Sequence, residues 1–233
     1  SLFVQYAEGY RNPNFDEAYN TYTNLAQMYT IIPNPDITAE TSEGFEVGLR
    51  GNFNDTSWSL AYYKNDYKDF IAYEYLFPPI QGVLQVQYQN LGSVETDGIE
   101  FESKTVFNDN LSASFGLRLN DGKEDDSYLD SLSPDHAKIA LSWVSDSGKF
   151  KWNNISTLME SSRSNLSPIC GRSGICSPAQ ATSGRITLDS YLSFDATEKL
   201  NLKIGLRNLT DVKYWDYPTV AGQAQGTADE YLM

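Results

Sequence analysis

The sequence predicts an all-β protein and, within that class, an antiparallel transmembrane β-barrel. Three observations lead to this prediction. Apolar residues recur at every second position along most of the chain, which is the period of a strand rather than that of a helix. The links between these segments alternate between short and long, and aromatic residues gather beside the short links.

Nine segments carry the strand pattern. In "DNLSASFGLRLND" every second residue from Leu111 to Leu119 is apolar, and the residues between them are polar or small. The segment "HAKIALSW" repeats the scheme from Ala137 to Trp143, and "KLNLKIGLRN" repeats it later in the chain. The predicted strands cover residues 2–10, 41–53, 57–70, 94–107, 111–120, 136–145, 150–161, 185–194 and 199–208.

The links between these strands are of two kinds. Strict alternation of short and long links places every short turn at one rim of the sheet and every long loop at the other. Outer-membrane barrels have this asymmetry, whereas a soluble two-sheet sandwich, which the strand pattern also permits, has little reason to produce it. The short links contain "NFNDTS", "FNDNL", "SDSGKF" and "DATEK", and the long links cover residues 11–40, 68–95, 121–135, 162–184 and 212 onward.

Aromatic residues lie close to the short links, as they would in the interfacial girdle of a membrane barrel. The alternative is that these side chains cap the core of a soluble protein. The residues concerned are Phe53, Trp58, Phe107, Trp143, Phe150, Trp152 and Phe194.

Charge and hydropathy exclude some classes of protein. The formal net charge of −14 argues against binding to nucleic acid, which needs a basic surface. The sequence has no run of about 18 apolar residues, so a transmembrane helix is excluded. A membrane-spanning strand needs only about 9–11 residues with alternate ones apolar, so a membrane barrel is not excluded.

The polar face of the predicted strands mixes both signs of charge. This mixture fits a lumen filled by a hydrated plug domain, because a lining of one sign would suit an ion-selective open pore better. The residues are Glu46, Arg50, Glu100, Glu102, Lys104, Arg118, Lys203 and Arg207.

Nine strands leave two edges of the sheet unpaired, and a bilayer has nothing to satisfy the backbone groups there. The chain also ends in "TADEYLM", without a further strand pattern. We therefore expect the chain to be a fragment of a larger barrel.

Cys170 and Cys176 lie close together in "SPICGRSGICSP", with a spacing that does not match a CxxC metal site. They are predicted to form a local disulfide in an oxidising compartment.

Four motifs, in order along the chain, resemble those of TonB-dependent outer-membrane receptors, and the first two resemble the haem and haemoglobin branch. "EGYRNPNFDEAY" is similar to the box written around Phe-Arg-Ala-Pro, and "IIPNPDITAETSEGFEVGLRG" is similar to the box that begins Asn-Pro-Asp-Leu. "NLGSVETDGIEFE" and "GLRNLTDVKYWDYPTVAG" resemble signatures found more generally in these receptors.

The resemblance implies a 22-stranded outer-membrane barrel plugged by an N-terminal domain. Residues 1–233 would be the C-terminal part of that barrel, without the plug and the final strand. Haem, or a haem-carrying protein, would be the transported ligand, with no permanently bound cofactor. The other partners would be outer-membrane lipid and the TonB–ExbB–ExbD complex, which acts through the plug. The long loops would be extracellular and the short turns periplasmic.

The predicted ligand-binding residues lie in the loop 11–40. Arg11 has two interpretations: it pairs with an anionic group of the ligand or plug, or it pairs with loop acids such as Asp16 or Glu17 and anchors the base of the loop. The haem branch typically carries a histidine ligand in or near this loop, but the one His of this chain is His136. Tyrosinate also ligates haem iron in some proteins, so the candidates for an iron ligand are Tyr22, Tyr29 and His136. The predicted binding residues are Arg11, Asn12, Tyr19, Tyr22, Tyr29 and Asn34.

No enzyme constellation is found, because a catalytic triad would have to use His136 beside a strand end and no nucleophile elbow accompanies it. We therefore expect a transporter and not an enzyme. Two alternatives stay open. One is a ferric-siderophore, cobalamin or other nutrient receptor on the same scaffold. The other is a passive porin or an adhesin barrel without energy coupling.

Overall fold

The computed structural model describes residues 1–90, 92–124, 127–129, 132–162, 169–170, 176–177 and 181–215. Almost all regular structure in these residues is strand, and the only helix described has five residues. No helix in this part of the chain is long and apolar enough to cross a membrane. The elements are β1 (Leu2–Arg11), α1 (Phe15–Tyr19), β2 (Tyr22–Asn24), β3 (Tyr29–Ile32), β4 (Glu40–Phe53), β5 (Thr56–Lys68), β6 (Ile71–Ile80), β7 (Val83–Asn90), β8 (Ser93–Val106), β9 (Leu111–Glu124), β10 (Ser127–Tyr128), β11 (His136–Val144), β12 (Phe150–Met159), β13 (Ile169–Cys170), β14 (Cys176–Ser177), β15 (Arg185–Thr197) and β16 (Leu200–Leu206).

One antiparallel sheet of ten strands dominates the structure, and the predicted β-barrel architecture is confirmed at the level of this sheet. Its order is β1-β4-β5-β8-β9-β11-β12-β15-β16, with the short β10 paired to β9. The nine strands of this path correspond one to one with the nine predicted strands. The largest differences at their ends occur in β9, which continues to Glu124, and in β15, which continues to Thr197.

The register of the sheet separates an apolar face from a polar face. Leu49, Leu60 and Phe101 stand side by side across β4, β5 and β8. Their neighbours in sequence, Arg50, Ser59 and Glu102, form the adjacent row, and successive residues of a strand point to opposite faces. The row of charged and small residues therefore lies on the inner face that the alternation predicts.

The apolar face is not covered by a second sheet in the described residues. Leu2 and Ile204, at opposite ends of the large sheet, are 66% and 65% exposed. A soluble sandwich would bury these side chains between two sheets, so the structure does not support that alternative. An uncovered apolar face is what a barrel presents to lipid.

All four short turns lie at the same rim, as the alternation of links predicts. Their strands are antiparallel neighbours in the pairs β4–β5, β8–β9, β11–β12 and β15–β16. Aromatic residues meet across these strands near the turns: Trp143 is directly opposite Trp152. The rings of Phe150 and Phe194 are stacked with their centroids 4.4 Å apart. The predicted girdle is therefore present at this rim.

Gly98 allows β8 and β9 to approach each other closely on the inner face. A Cβ at Gly98 would lie 2.5 Å from the carbonyl oxygen of Leu119 and 2.6 Å from the hydroxyl of Tyr63. Since β8 is paired on both sides, its backbone has little room to move away.

Gly98→Ala is therefore expected to destabilise the full-length protein by about 1–3 kcal/mol, the usual cost of overpacking. Gly116, in β9, is the matched control, because a Cβ there would meet no atom within 4 Å. Urea unfolding of both variants in lipid vesicles measures the difference. Equal stability of Gly98→Ala and Gly116→Ala would show that the sheet accommodates the added methyl group.

Candidate functional site

Two long loops at the rim opposite the short turns fold together into one small sheet. This loop sheet consists of β2 and β3 from the link between β1 and β4, and of β6 and β7 from the link between β5 and β8, in the order β2-β3-β7-β6. The two links are joined by a parallel pairing of β3 with β7, in which Tyr29 lies opposite Leu84 and Ile31 opposite Val86. The sequence prediction treated both links as loops and missed this sheet.

One face of the loop sheet is rich in tyrosine, and we refer to it as the tyrosine face. The register places Tyr22, Ile31, Val86 and Tyr75 in one row across the four strands. Residues two positions along each strand lie on the same face, which adds Tyr29, Leu84, Tyr73 and Tyr88. The rings of Tyr73 and Tyr88 stack with centroids 4.1 Å apart, and those of Tyr22 and Tyr29 lie 6.1 Å apart.

The opposite face of the loop sheet is polar. Thr23 is opposite Thr30, and their hydroxyl oxygens are 2.8 Å apart. Gln87 donates a hydrogen bond from Nε2 to the carbonyl oxygen of Pro33 and accepts one from Nε2 of Gln89. The loop sheet is therefore amphipathic, with hydrogen-bonded polar side chains on one side and aromatic rings on the other.

The helix α1 covers one end of the tyrosine face. Asn14 caps its first turn by accepting from the backbone N–H of Glu17, while the Glu17 carboxylate accepts from the backbone N–H of Asn14. This is the reciprocal capping box. Ala18 is buried against Ile37 and Ile71, with Tyr88 packed beside them. Tyr19, a predicted contact residue, is exposed at the end of the same helix.

Arg11 anchors the base of this assembly. Its guanidinium donates to both carboxylate oxygens of Glu17, at 2.8 Å each, and to both of Glu40, at 2.6 and 3.1 Å. Glu40 Oε2 also accepts the backbone N–H of Ile71, at 3.0 Å. The first loop is thus tied at its base to the start of the second. This geometry matches the interpretation in which Arg11 pairs with loop acids, and a contact with ligand stays a prediction.

Two asparagines hold the loops together. Asn34, a predicted binding residue, donates from Nδ2 to the carbonyl oxygen of Tyr88 at 2.8 Å. Asn90 donates to the carbonyl oxygens of Thr38 and Asp69 and accepts the backbone N–H of Thr38. Asn90 is not among the predicted binding residues, although it stands in the "NLG" motif. Asn12, the other predicted asparagine, is exposed.

Carboxylates lie near the base of the tyrosine face and contribute to the raised pKa of Tyr88. Burial raises the pKa of Tyr88 to about 12, with further contributions from a hydrogen bond with Tyr73 and from the charges of Glu17 and Asp16. Residues 12–39 and 69–92 contain five carboxylates, Asp16, Glu17, Asp36, Asp69 and Glu74, and no Lys, Arg or His. Apart from Arg11 and Lys68 at its base, the two-loop assembly is therefore acidic.

The three candidate iron ligands do not come together in the structure. Tyr22 and Tyr29 lie on the loop sheet, while His136 begins β11 in the large sheet. His136 stands between Arg118 and Met159 in register, and its Nδ1 is 3.4 Å from the carbonyl oxygen of Pro134. Within the described ranges, no three His, Cys, Asp or Glu side chains form a group that could hold a metal.

The inner face of the large sheet carries the mixed charges that the sequence predicts. Glu100 and Arg118 are opposite each other on β8 and β9 and form an ion pair at 2.6 Å. The Arg50 guanidinium lies over the ring of Phe3, 4.3 Å from its centroid. An open recess of about 960 Å³ on this face is lined in part by Arg50, Glu102 and Lys138.

The predicted disulfide falls largely outside the described residues. The backbones of Cys170 and Cys176 are directly opposite each other where β13 pairs with β14, but the structure describes neither side chain. Nothing in the described residues supports the bond between Cys170 and Cys176, which stays a prediction.

Comparison with known proteins identifies the family. Residues 1–209 match the family described as "TonB dependent receptor-like, beta-barrel". "Probable hemoglobin and hemoglobin-haptoglobin-binding protein 3" of Haemophilus influenzae is 32% identical over 122 residues, which are 50% of this chain and 11% of that protein. "Hemoglobin-binding protein A" of Haemophilus influenzae is 25% identical over 243 residues, covering 92% of this chain and 24% of that protein. The chain thus spans at most about a quarter of the length of these two relatives.

Solved structures show the same fold. The copper transporter OprC matches 93% of this chain and 32% of its own, with a TM-score of 0.70 and 17% identity. The pyoverdine outer membrane receptor FpvA from Pseudomonas aeruginosa matches 96% of this chain and 31% of its own, with a TM-score of 0.68 and 13% identity. The family implies an outer-membrane location. Since the family match covers most of the chain, this protein belongs to the TonB-dependent receptor β-barrel family.

Proposed function

We propose that this chain is the C-terminal barrel part of an outer-membrane receptor that takes up haem, or iron from haem-carrying proteins, with energy from the TonB–ExbB–ExbD complex. The observation that carries the proposal is the two-loop assembly with its tyrosine face, at the long-loop rim of a sheet that is polar inside and apolar outside. The haemoglobin-binding names of the relatives support the choice of ligand.

In this proposal the protein breaks no bonds and is not an enzyme. The long loops lie outside the cell and bind the ligand, and the short turns face the periplasm. A plug domain elsewhere in the full protein contacts the mixed charges of the inner face, such as Glu100 and Arg118, and moves when TonB pulls on it. Haem is cargo rather than a resident cofactor.

The contact residues of the first loop are proposed to be Tyr19, Tyr22 and Tyr29. A tyrosine ring supplies a large contact area while losing little side-chain entropy, and its hydroxyl finds polar partners. Arg11, Asn12 and Asn34 border the same loop, and Arg11 and Asn34 act by holding it in place. If haem iron is ligated, the candidates remain Tyr22, Tyr29 and His136.

Growth of an iron-starved host tests the proposed ligand. We expect the full-length receptor to support growth on haemoglobin as the sole iron source, and a variant lacking residues 12–39 to lose that growth because both halves of the loop sheet depend on this segment. An antibody to a surface tag confirms that the variant reaches the outer membrane in equal amount.

Other outcomes of this experiment favour the alternatives. Growth that requires a ferric siderophore or cobalamin and ignores haemoglobin and haem would contradict the proposed ligand while keeping the receptor. Uptake that continues in a host without TonB would contradict energy coupling and favour a passive porin.

A further inference from the structure

The tyrosine face is apolar and buried at its centre and exposed at its edges. Val86 and Leu84 are only 7% and 5% exposed because the flanking rings and strands surround them. Tyr22 and Tyr75, at the two edges of the same row, are 50% and 57% exposed. Among the described residues, α1 covers the end of this face near Ile71. Tyr22, Tyr73 and Tyr75 are exposed, whereas Tyr29 and Tyr88 are half-buried.

The tips of the two hairpins in the loop sheet extend this apolar surface. Leu25 and Met28 are exposed at the turn between β2 and β3, and Phe77 and Ile80 are exposed near the turn between β6 and β7. The tips are held side by side, because the backbone N–H of Leu84 donates to the carbonyl oxygen of Met28 at 2.9 Å. The exposed side chains therefore belong to one surface built from both loops.

The charges around this surface limit what it can bind. Residues 12–39 and 69–92 carry five carboxylates and no basic residue, and one of the five, Glu74, is on the polar face of the loop sheet. Of the two cations that border these residues, Arg11 is paired with Glu17 and Glu40 and Lys68 is paired with Glu43. Free haem carries two propionates, so its negative charge would meet like charge here. A protein surface with an apolar patch surrounded by Lys and Arg would meet opposite charge, which favours association and fixes orientation.

The size of the surface also fits a protein partner. Four strands spaced about 4.8 Å apart give a width of about 14 Å, and strands of 3, 4, 8 and 10 residues give a mean length of about 20 Å. The product, about 290 Å², is roughly a third of the area that one partner buries in a standard interface. The hairpin tips and the exposed Phe15 and Tyr19 of α1 add to it.

We propose that the tyrosine face and the two hairpin tips form a docking surface for a folded protein whose apolar patch is bordered by basic residues, and that Tyr75 and Tyr73 of the second loop supply half of it. This inference rests on the proposed function and makes it more specific: the carrier protein, rather than free haem, is what the loop sheet recognises. Haem itself would be received elsewhere in the receptor.

Binding measurements on the full-length receptor test the inference, with haemoglobin and free haem as separate probes. Tyr22→Ser and Tyr75→Ser are each expected to lower the affinity for haemoglobin by roughly 30-fold, as for a contact hot spot, and to leave the haem titration unchanged. Gln85→Ser, on the polar face of the same sheet, is the matched control and is expected to change neither. The haemoglobin association rate is expected to fall as salt concentration rises.

The outcomes separate the two levels of the hypothesis. If the unaltered receptor binds neither haemoglobin nor haem, the proposed function is wrong and this inference falls with it. If haemoglobin binds the unaltered receptor and Tyr75→Ser equally well, only the docking surface is wrong. If Tyr75→Ser weakens haem and haemoglobin to the same extent, the surface binds haem itself and not the carrier protein. Unchanged loop-sheet protection in hydrogen exchange confirms that the variants are folded.

Discussion

Replacing Leu60 with Arg is expected to destabilise the full-length receptor by about 1–3 kcal/mol in a lipid bilayer. Leu60 lies on the apolar face between Leu49 and Phe101, where an outer-membrane barrel contacts hydrocarbon, and it is two residues inside the girdle residue Trp58. A charged side chain there loses its hydration, and the cost for arginine in such barrels falls from about 2–4 kcal/mol at the bilayer midplane to about 0–1 kcal/mol at the interfaces. Urea unfolding in lipid vesicles measures the change.

Ser59→Arg is the control for this prediction, since Ser59 is the adjacent residue on the same strand but belongs to the polar face. It lines the open recess of the inner face together with Arg50 and Glu102, so an arginine there has room and a nearby carboxylate. We expect a change within about 1 kcal/mol, as for a surface substitution. A similar loss of stability in both variants would contradict the assignment of the two faces to lipid and lumen.

The second large effect is expected from Arg11→Ala, which leaves two carboxylates of the loop base without their cation. The side chains of Glu17 and Glu40 are only 11% and 16% exposed, whereas that of Arg11 is 43% exposed. Breaking a buried ion pair costs about 3–5 kcal/mol, and the exposure of Arg11 reduces this to about 2–3 kcal/mol. We expect faster hydrogen exchange throughout α1 and the loop sheet, and at least a tenfold loss of haemoglobin affinity.

Two variants make the Arg11 experiment specific. Arg11→Lys keeps the charge but cannot hold two carboxylates through a planar fork, so it is expected to recover only part of the protection. Lys68→Ala removes an exposed pair with Glu43 at 3.5 Å and is expected to cost no more than about 0.5 kcal/mol. If Arg11→Ala leaves both exchange and haemoglobin affinity unchanged, the ion pairs do not hold the loops in place.

Prediction from sequence worked best where a strand has apolar residues at every second position over many residues. β9 and β11 were found because a half-buried strand must present one apolar and one polar face, and this requirement is visible within a single segment. The alternation of short and long links then predicted correctly that all short turns lie at one rim, because the chain reverses direction between antiparallel neighbouring strands.

Prediction from sequence failed where structure depends on residues far apart in the chain. The pairing of β3 with β7 joins residues near 30 to residues near 85. No local sequence pattern predicts a parallel pairing of two strands over only four residues each. Two local sequence patterns nevertheless indicate parts of this structure. "NFDE" at Asn14–Glu17 has the spacing of a capping box, and "VLQVQYQ" from Val83 alternates as a strand does. Both lie inside segments that were interpreted only as loops.

The class of this protein, its nine long strands and the apolar face of each strand can be predicted from the sequence alone, because these features follow from side chains only two residues apart. The folded chain was needed to show that two loops form one amphipathic sheet, and that Arg11 joins them through Glu17 and Glu40. Those contacts depend on the register of the barrel strands, which brings the loop ends together, and on the packing of Ala18, Ile37 and Ile71 against Tyr88. Local periodicity carries no information about either, because both arise from pairings between distant segments.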